Sequence, residues 1–533
     1  MPSARPVRFR SVACLVLLAI VSAYGCGPQA TKGESDTLVF GRNKDALTLD
    51  PAVSSDGMSL TVTHVIYEGL TRYRPGSFDI EPSLATSWSS SADGRTWTFH
   101  LRRNVRFHDG TPFDAAAVKF NFERWRDPRN PYHAWGFFTY YGSQFGGFPG
   151  RIKAVVARDA QTVEIVLSEP VAPLLADLAM PAFGIASPTA LAKEREHFAQ
   201  APVGTGPYEL AEWVKDDHIT LARFDGYWGR KARIRTVVLR DIPDAATTML
   251  LLRRGDLDGW EYPTPDSLEQ VAADPHLRIF HQPPNAVSFV ALNNLKHPFD
   301  DARVRLAINQ AIDRASIVAH FYDPTASVAR DFLPAAVWPS GGEVAHAYDP
   351  AAARRLLARA GYPHGFTTTL WYATTPRPYL PEPERVAEAI QADLRDVGID
   401  ARLQGFEWGV YLQKVENAEH DICLSGWTGD NGDPDNFLYV PLDEDNAHPP
   451  GAYNLAFWRN SAFHADVIAA QRVSGLAQRS RLYLQALAIV RDQSPVVTIA
   501  HTSAPIIFRA DVRGYVPSPD SMVSFQDLSF AGR

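Results

Sequence analysis

Cysteine is scarce in this chain of 533 residues: Cys14, Cys26 and Cys423 are the only three. If a leader ending at Gly25 is removed and Cys26 is used otherwise, Cys423 stands alone and no disulfide forms within the chain. An exported protein of this length does not need one, because its cores are large. Catalytic signatures are also missing. There is no Gly-x-Ser-x-Gly, no His-Glu-x-x-His and no Cys-x-x-Cys. A peptidase assembled from scattered serines and histidines stays open only as a remote alternative. Excess positive charge is absent too, since the formal charge is −8. Removing residues 1–25 takes away Arg5, Arg8 and Arg10 and no acid, which makes it −11 and excludes a nucleic-acid surface.

What is present is globular. Apolar content of 45%, aromatic 11% and charged 21% carry no disorder signature. The length calls for at least two cores. The 12 Trp, 19 Tyr and 28 Phe favour large packed surfaces or aromatic-lined clefts. The first 25 residues read as an address: three arginines, the apolar run Val12 to Val21, then Ala23-Tyr24-Gly25-Cys26. That run is too short for a comfortable membrane span and fits a secretory signal peptide. Ending it at Cys26 is similar to a bacterial lipobox, so lipidation is expected there; ordinary cleavage leaving a free thiol is the other reading. Residues 26–35 form the flexible tether.

The most informative stretch is residues 423–438, where Asp430, Asp433 and Asp435 crowd one Gly- and Asn-rich turn. Like charges so close raise one another's pKa, so each needs a local duty. Asp435, after Pro434, is expected to cap the following segment, and Asp433 to close the turn. Asp430 has no such duty. Beside Gly429 and Asn431-Gly432 it can sit on backbone that approaches a ligand closely. A plain solvated turn is the competing reading, and a calcium loop fails on spacing and on Pro434.

Elsewhere, residues 37–50 start as a strand, Thr61 to Leu70 reads as a helix carrying His64 and Tyr67, and Trp97 to Leu101 alternates with period two. Asp109-Gly110-Thr111-Pro112 is a turn, and Asp114 caps a helix. Apolar Val304, Ala307, Ile308, Ala311, Ile312 and Ala315 predict one helix from Arg303 to Val318, capped by Asp301. Glu384 to Val397, stopped by Gly398, and Leu482 to Val490 predict two more. Strand–helix alternation over 285–505 argues for an α/β lobe.

FHLRRNVRFHDGTPFDAAAVKFNFER at 99–124, PVGTGPYEL at 202–210, FDGYWG at 224–229, NNLKHPFDDARVRLAINQAIDR at 293–314 and YDPAAARRLLARAGY at 348–362 together resemble the peptide- and nickel-binding extracytoplasmic proteins of ABC importers. Within that family, residues 371–438, and GWTGDNGDPDNF above all, look closest to the dipeptide-binding members. The resemblance implies an α/β, two-lobe periplasmic-binding-protein fold (type II, cluster C) with an extra subdomain in lobe I. Lobe I is expected at 36–284, with about 76–200 as the subdomain, and at 506–533; lobe II at 285–505. The crossings fall near Pro283–Asn285 and His501–Pro505.

A zwitterionic peptide needs one partner for its ammonium and one for its carboxylate. The resemblance gives these roles to Asp430 and to Arg377, which Pro376 and Pro378 hold stiffly. Trp427 and Trp408 resemble pocket walls, Tyr379 adjoins the arginine, and Gly429 belongs to the same site; each aromatic could equally be core. Backbone near Gly426 and Thr428 could pair with the peptide as an added strand. The dipeptide-binding proteins close a loop after this motif with a disulfide, whereas residues 442–454 hold no cysteine and contain Pro449-Pro450, so a differently shaped loop is expected.

The reading calls for no cofactor and no metal, and for no catalysis. The expected partners are a dipeptide and a permease with its ATPases, and the only membrane contact is the lipid anchor. A monomer in the extracytoplasmic space follows. Longer peptides, haem or a nickel chelate remain alternatives on the same fold, although no histidine lies in 421–438.

Overall fold

The computed structural model describes residues 36–339 and 346–532, so the leader, Cys26 and the tether lie outside the described residues. Two large sheets organise the rest. The first runs, in spatial order, Leu277–His281, Pro505–Arg509, Gly259–Glu261, Thr37–Arg42, Thr236–Asp241, His218–Arg223, Tyr208–Val214. Thr37–Arg42 lies parallel to both of its neighbours, and alternate residues such as Leu38 and Phe40 are fully buried against Tyr208, Leu239 and Phe508.

The second sheet runs Ser327–Val328, Val496–Thr502, Ala286–Leu292, Ile422–Thr428, Phe366–Ala373, Ile399–Phe406. Every residue of Ala286–Leu292 is buried. A strand that apolar needs both faces covered, which a central position provides. Phe366–Ala373 and Ile399–Phe406 are parallel, joined through the helix Pro383–Asp396. That helix buries Val386, Ile390 and Leu394 on one stripe, and Gly398 turns the chain out of it at φ +92°. A separate four-stranded antiparallel sheet orders Ala85–Ser90, Thr96–Leu101, Thr162–Leu167 and Ile152–Asp159 over its own core.

The chain leaves the first sheet after His281 and enters the second at Ala286; it returns between Thr502 and Pro505. The two passages run side by side, with the Asn285 N–H donating to the Thr502 carbonyl at 3.3 Å.

Three expected helices shift. The first spans Gly57–Ile66, not Thr61 to Leu70, because Asp56 accepts the Ser59 N–H and fixes the start; Tyr67 is already extended. Apolar spacing alone does not fix where this helix begins, so the cap decides. The helix expected over 303–318 is two, Ala302–Ala311 and Arg314–Phe321. Ile312 is extended, Asp313 caps the second helix, and its own N–H goes to Asp393 at 2.9 Å. Ala315 is therefore exposed, and Ile317 and Val318 take its place in the core. The third spans Leu476–Gln493, longer than its apolar stripe from Leu482 to Val490.

In the segment after the 423–438 stretch, Asn454 does the fastening. It is fully buried, and its side-chain amide donates to the carbonyls of Leu442 (2.8 Å), Asp443 (3.2 Å) and Trp458 (3.0 Å). Asn454→Ala takes the side-chain donor from the Leu442 and Trp458 carbonyls, while the Asp443 carbonyl keeps the Asn446 N–H, and is expected to cost about 1–3 kcal/mol. Urea unfolding followed by tryptophan fluorescence measures it; an unchanged midpoint would show that water replaces the amide.

Candidate functional site

The 429–436 loop is built from its own hydrogen bonds outward. Gly429 donates its N–H to the Asn285 carbonyl (2.8 Å), and its carbonyl accepts from the Asn285 side-chain amide (2.7 Å). A Cβ at Gly429 would sit 2.5 Å from both Asn285 Oδ1 and the Phe437 ring, so packing within the chain requires glycine here. Next, the Asp430 N–H donates to Asn436 Oδ1 (3.0 Å), while Asn436 Nδ2 donates back to Asp430 Oδ2 (3.1 Å). Asn436 Oδ1 also accepts the Trp427 indole N–H at 3.0 Å. One buried amide therefore orients both Trp427 and Asp430. The remaining Asp430 oxygen accepts the Tyr140 hydroxyl at 2.8 Å. Burial pushes the Asp430 carboxyl above its ordinary value, with Tyr140 and Asn436 opposing.

The other two acids are neutralised from below. Asp433 accepts the Asp435 N–H (3.0 Å), closing the turn as expected, and also pairs bidentately with Arg479, both contacts at 2.7 Å. Asp435 does not cap: Pro434 occupies the cap position, and both Asp435 oxygens accept from Gln471. Burial and the Asp433 charge push the Asp435 carboxyl up to about 7. Asn431 reaches away from the loop and donates to Asp177 at 2.9 Å. Burial, with Asp433 and Asp435 nearby, pushes the Asp177 carboxyl well up. Ala172 with Gln471 (2.7 Å) and Glu169 with Arg472 (3.0 Å) continue the same seam between residues 139–177 and the second sheet's side.

Arg377 lies on a tight turn closed by reciprocal backbone bonds with Leu380, 2.9 and 2.8 Å. Its guanidinium stacks 3.5 Å above the Trp408 ring, and its Nε is buried with no hydrogen-bond partner. Burial pulls the guanidinium below its ordinary value, Tyr379 opposing. Trp408 opens the helix Trp408–Glu416, capped by Glu407, and stacks on Tyr411. The Tyr379 ring covers Gly426, where a Cβ would sit 2.2 Å from it. Trp427 meets Tyr453 edge-on at 6.1 Å.

The Tyr379 ring brings the Arg377 turn to the strand that leads into the 429–436 loop. The strand Ile422–Thr428 pairs with Leu370–Tyr372 only as far as Leu424, while its other side stays paired with Ala286–Leu292 to its end. Ser425–Thr428 thus has no strand partner on the side of the Arg377 turn. Tyr140, Asn436 and Asn285 were not foreseen. Asn436 stood within the motif, but its role needs the turn's geometry, and Tyr140 is 290 residues away with no local mark.

Two α/β sheet systems joined by two adjacent passages define a periplasmic-binding-protein fold. The model of "Bacterial extracellular solute-binding proteins, family 5 Middle" matches residues 79–449, and the chain belongs to that family. It is the solute-binding component of an ABC importer, extracytoplasmic and not an enzyme. It is 34% identical to the dipeptide-binding protein of Escherichia coli (strain K12), covering 94% of this chain and 96% of that one. Its identity to haem-binding protein A of Haemophilus influenzae is also 34%, over 95% and 94%. The structure of the periplasmic binding protein DppA from Helicobacter pylori, in complex with the peptide STSA, superposes with a TM-score of 0.79, at 34% identity over 93% of this chain and 98% of that one.

Removing Arg479 strands the buried Asp433 and takes a nearby cation away from Asp435. Arg479→Ala is expected to cost about 3–5 kcal/mol. A raised carboxyl such as Asp435 stabilises the fold at low pH and loses that contribution as pH rises from the ordinary carboxylate range through about 7. The variant should therefore lose more stability at pH 8 than at pH 5 in thermal melts; equal losses would contradict the charge argument.

Proposed function

We propose that the chain binds dipeptides, with Asp430 taking the ammonium and Arg377 the carboxylate, while the peptide backbone lies along Ser425–Thr428. What supports this reading is a half-buried acid and a half-buried guanidinium whose Nε lacks a partner among the described residues, with Tyr379 beside Arg377 covering Gly426 on a strand edge left unpaired beyond Leu424. Trp427, Trp408 and Tyr379 form the aromatic walls, and Gly429 holds the loop against Asn285. The similarity to a dipeptide-binding protein over nearly the full chain supports the same ligand class.

Closure follows from the proposed division into 36–284 with 506–533 and 285–505, hinged at the two passages, with about 76–200 as a subdomain. The closed form then docks on the permease. Residues 1–25 serve as the signal peptide, and Cys26 carries the lipid that anchors the tether.

Calorimetry with a dipeptide, its N-acetylated form and its C-amidated form tests the poles. Each blocked form, and each of Asp430→Ala and Arg377→Ala, is expected to weaken binding by about 2–5 kcal/mol, tens- to thousands-fold. Blocked forms that bind like the parent would sink the proposal.

Acidification gives an independent check. Because burial raises the Asp430 carboxyl, its charge is lost on falling pH before an ordinary carboxylate near about 4 titrates. Dipeptide affinity measured from pH 7 to pH 4 should fall in that window, and Asp430→Asn should flatten the fall. Constant affinity down to pH 4 would remove Asp430 from the role.

The haem-binding relative favours one second reading, haem as ligand. A Soret band that develops on haem addition, competes with dipeptide and survives gel filtration would support it.

A further inference from the structure

We propose that Asp443, Asp445 and His464 form a binding site for a divalent transition-metal ion, separate from the peptide site and independent of that reading. Asp443 follows directly on the helix Asp435–Leu442, and His464 lies in the first turns of the helix Ser461–Arg472. One ligand atom from each of the three residues lies within 4.8 Å of the other two.

The Asp443 carboxylate shows what is lacking. Its side chain has no solvent exposure. Oδ1 accepts the Asp445 N–H at 3.0 Å and is 2.9 Å from His464 Nδ1. Oδ2 is buried and, among the described residues, has no hydrogen-bond donor. Leaving such an oxygen unsatisfied costs about 1–3 kcal/mol, more when the group is charged. A simple Asp443–His464 ion pair accounts for Oδ1 alone. It explains neither the orphaned Oδ2 nor why a second carboxylate, Asp445, faces the same pair. A cation chelated by both Asp443 oxygens answers both, since Oδ2 then becomes a ligand beside Oδ1.

The donor set selects the ion. Two carboxylates and an imidazole suit Zn²⁺, Mn²⁺, Co²⁺ or Ni²⁺, whereas Ca²⁺ and Mg²⁺ prefer oxygen throughout. Oδ1 and Nδ1 at 2.9 Å can both reach an ion at about 2.1 Å with a near-right angle between them, as cis positions of an octahedron require. Asp445 is exposed and His464 partly so, which leaves an entry path and room for water as further ligands.

Bound there, the ion would staple two helices that meet at the loop. The helix Asp435–Leu442 starts at that loop, and the helix Ser461–Arg472 already holds Asp435 through Gln471. The segment between the ligands carries Tyr453, which packs on Trp427.

The test uses the full chain after dialysis against a chelator. ZnCl₂, MnCl₂ or CoCl₂ should raise the thermal midpoint by a few degrees at about a hundred times the dissociation constant. Co²⁺ should give visible d–d bands, and elemental analysis one ion per chain. Asp445→Asn changes an exposed side chain, leaves the Asp443–His464 pair intact and should weaken the metal at least about tenfold. His464→Gln should abolish the Co²⁺ bands. No midpoint shift and no bands, or bands unaltered in both variants, would overturn the proposal and leave an ion pair with an adventitious surface ion at most.

Discussion

The guanidinium of Arg479 beneath Asp433 is the interaction on which the ligand loop rests. Three acids within six residues would repel one another into solvent unless a cation took up one charge. Arg479 does so from the helix Leu476–Gln493, with both nitrogens on both oxygens. Gln471 from the neighbouring helix holds Asp435, whose carboxyl burial and the Asp433 charge push up to about 7 against those bonds. The loop is thus a lid of carboxylates nailed down by two helices that contribute nothing to the exposed surface of the site.

That support separates the duties of three chemically identical side chains. Asp433 is structural because it is paired, and Asp435 because it is close to neutral. Asp430 is held only by neutral donors, Tyr140 and Asn436, which orient a carboxylate without cancelling its charge. A guest ammonium would meet an acid already desolvated and aimed. Arg377 is the counterpart: an aromatic ring under its plane and a turn behind its backbone restrict it, yet neither is an anion. On the proposed reading, both poles are preorganised by groups that leave the electrostatic work to the ligand.

The sequence carried the fold class, the family and the placement of many strands and helices, because apolar period and turn residues are local. The helix Pro383–Asp396 with Gly398 behind it was legible for that reason. Where period alone had to set a boundary it failed: Asp56 and Asp313 start helices that the apolar runs around them place elsewhere. The crowding of Asp430, Asp433 and Asp435 marked the site, but the duty of each depends on distant residues. Arg479 decides Asp433, Gln471 decides Asp435, and Tyr140 meets Asp430 across 290 positions. No spacing rule reaches that far. The bond of Asn436 to Trp427 was within reach in sequence but needs the turn to be folded first.

Asn285 has a mechanical consequence. Its backbone N–H is bound to Thr502 in the returning passage, while its carbonyl and side-chain amide both grip Gly429, one residue before Asp430. Torsion of the linkers and displacement of the acid are therefore one movement transmitted through a single residue. On the proposed reading, a cargo that tugs on Asp430 pulls through Gly429 on Asn285 and so on its bond to Thr502.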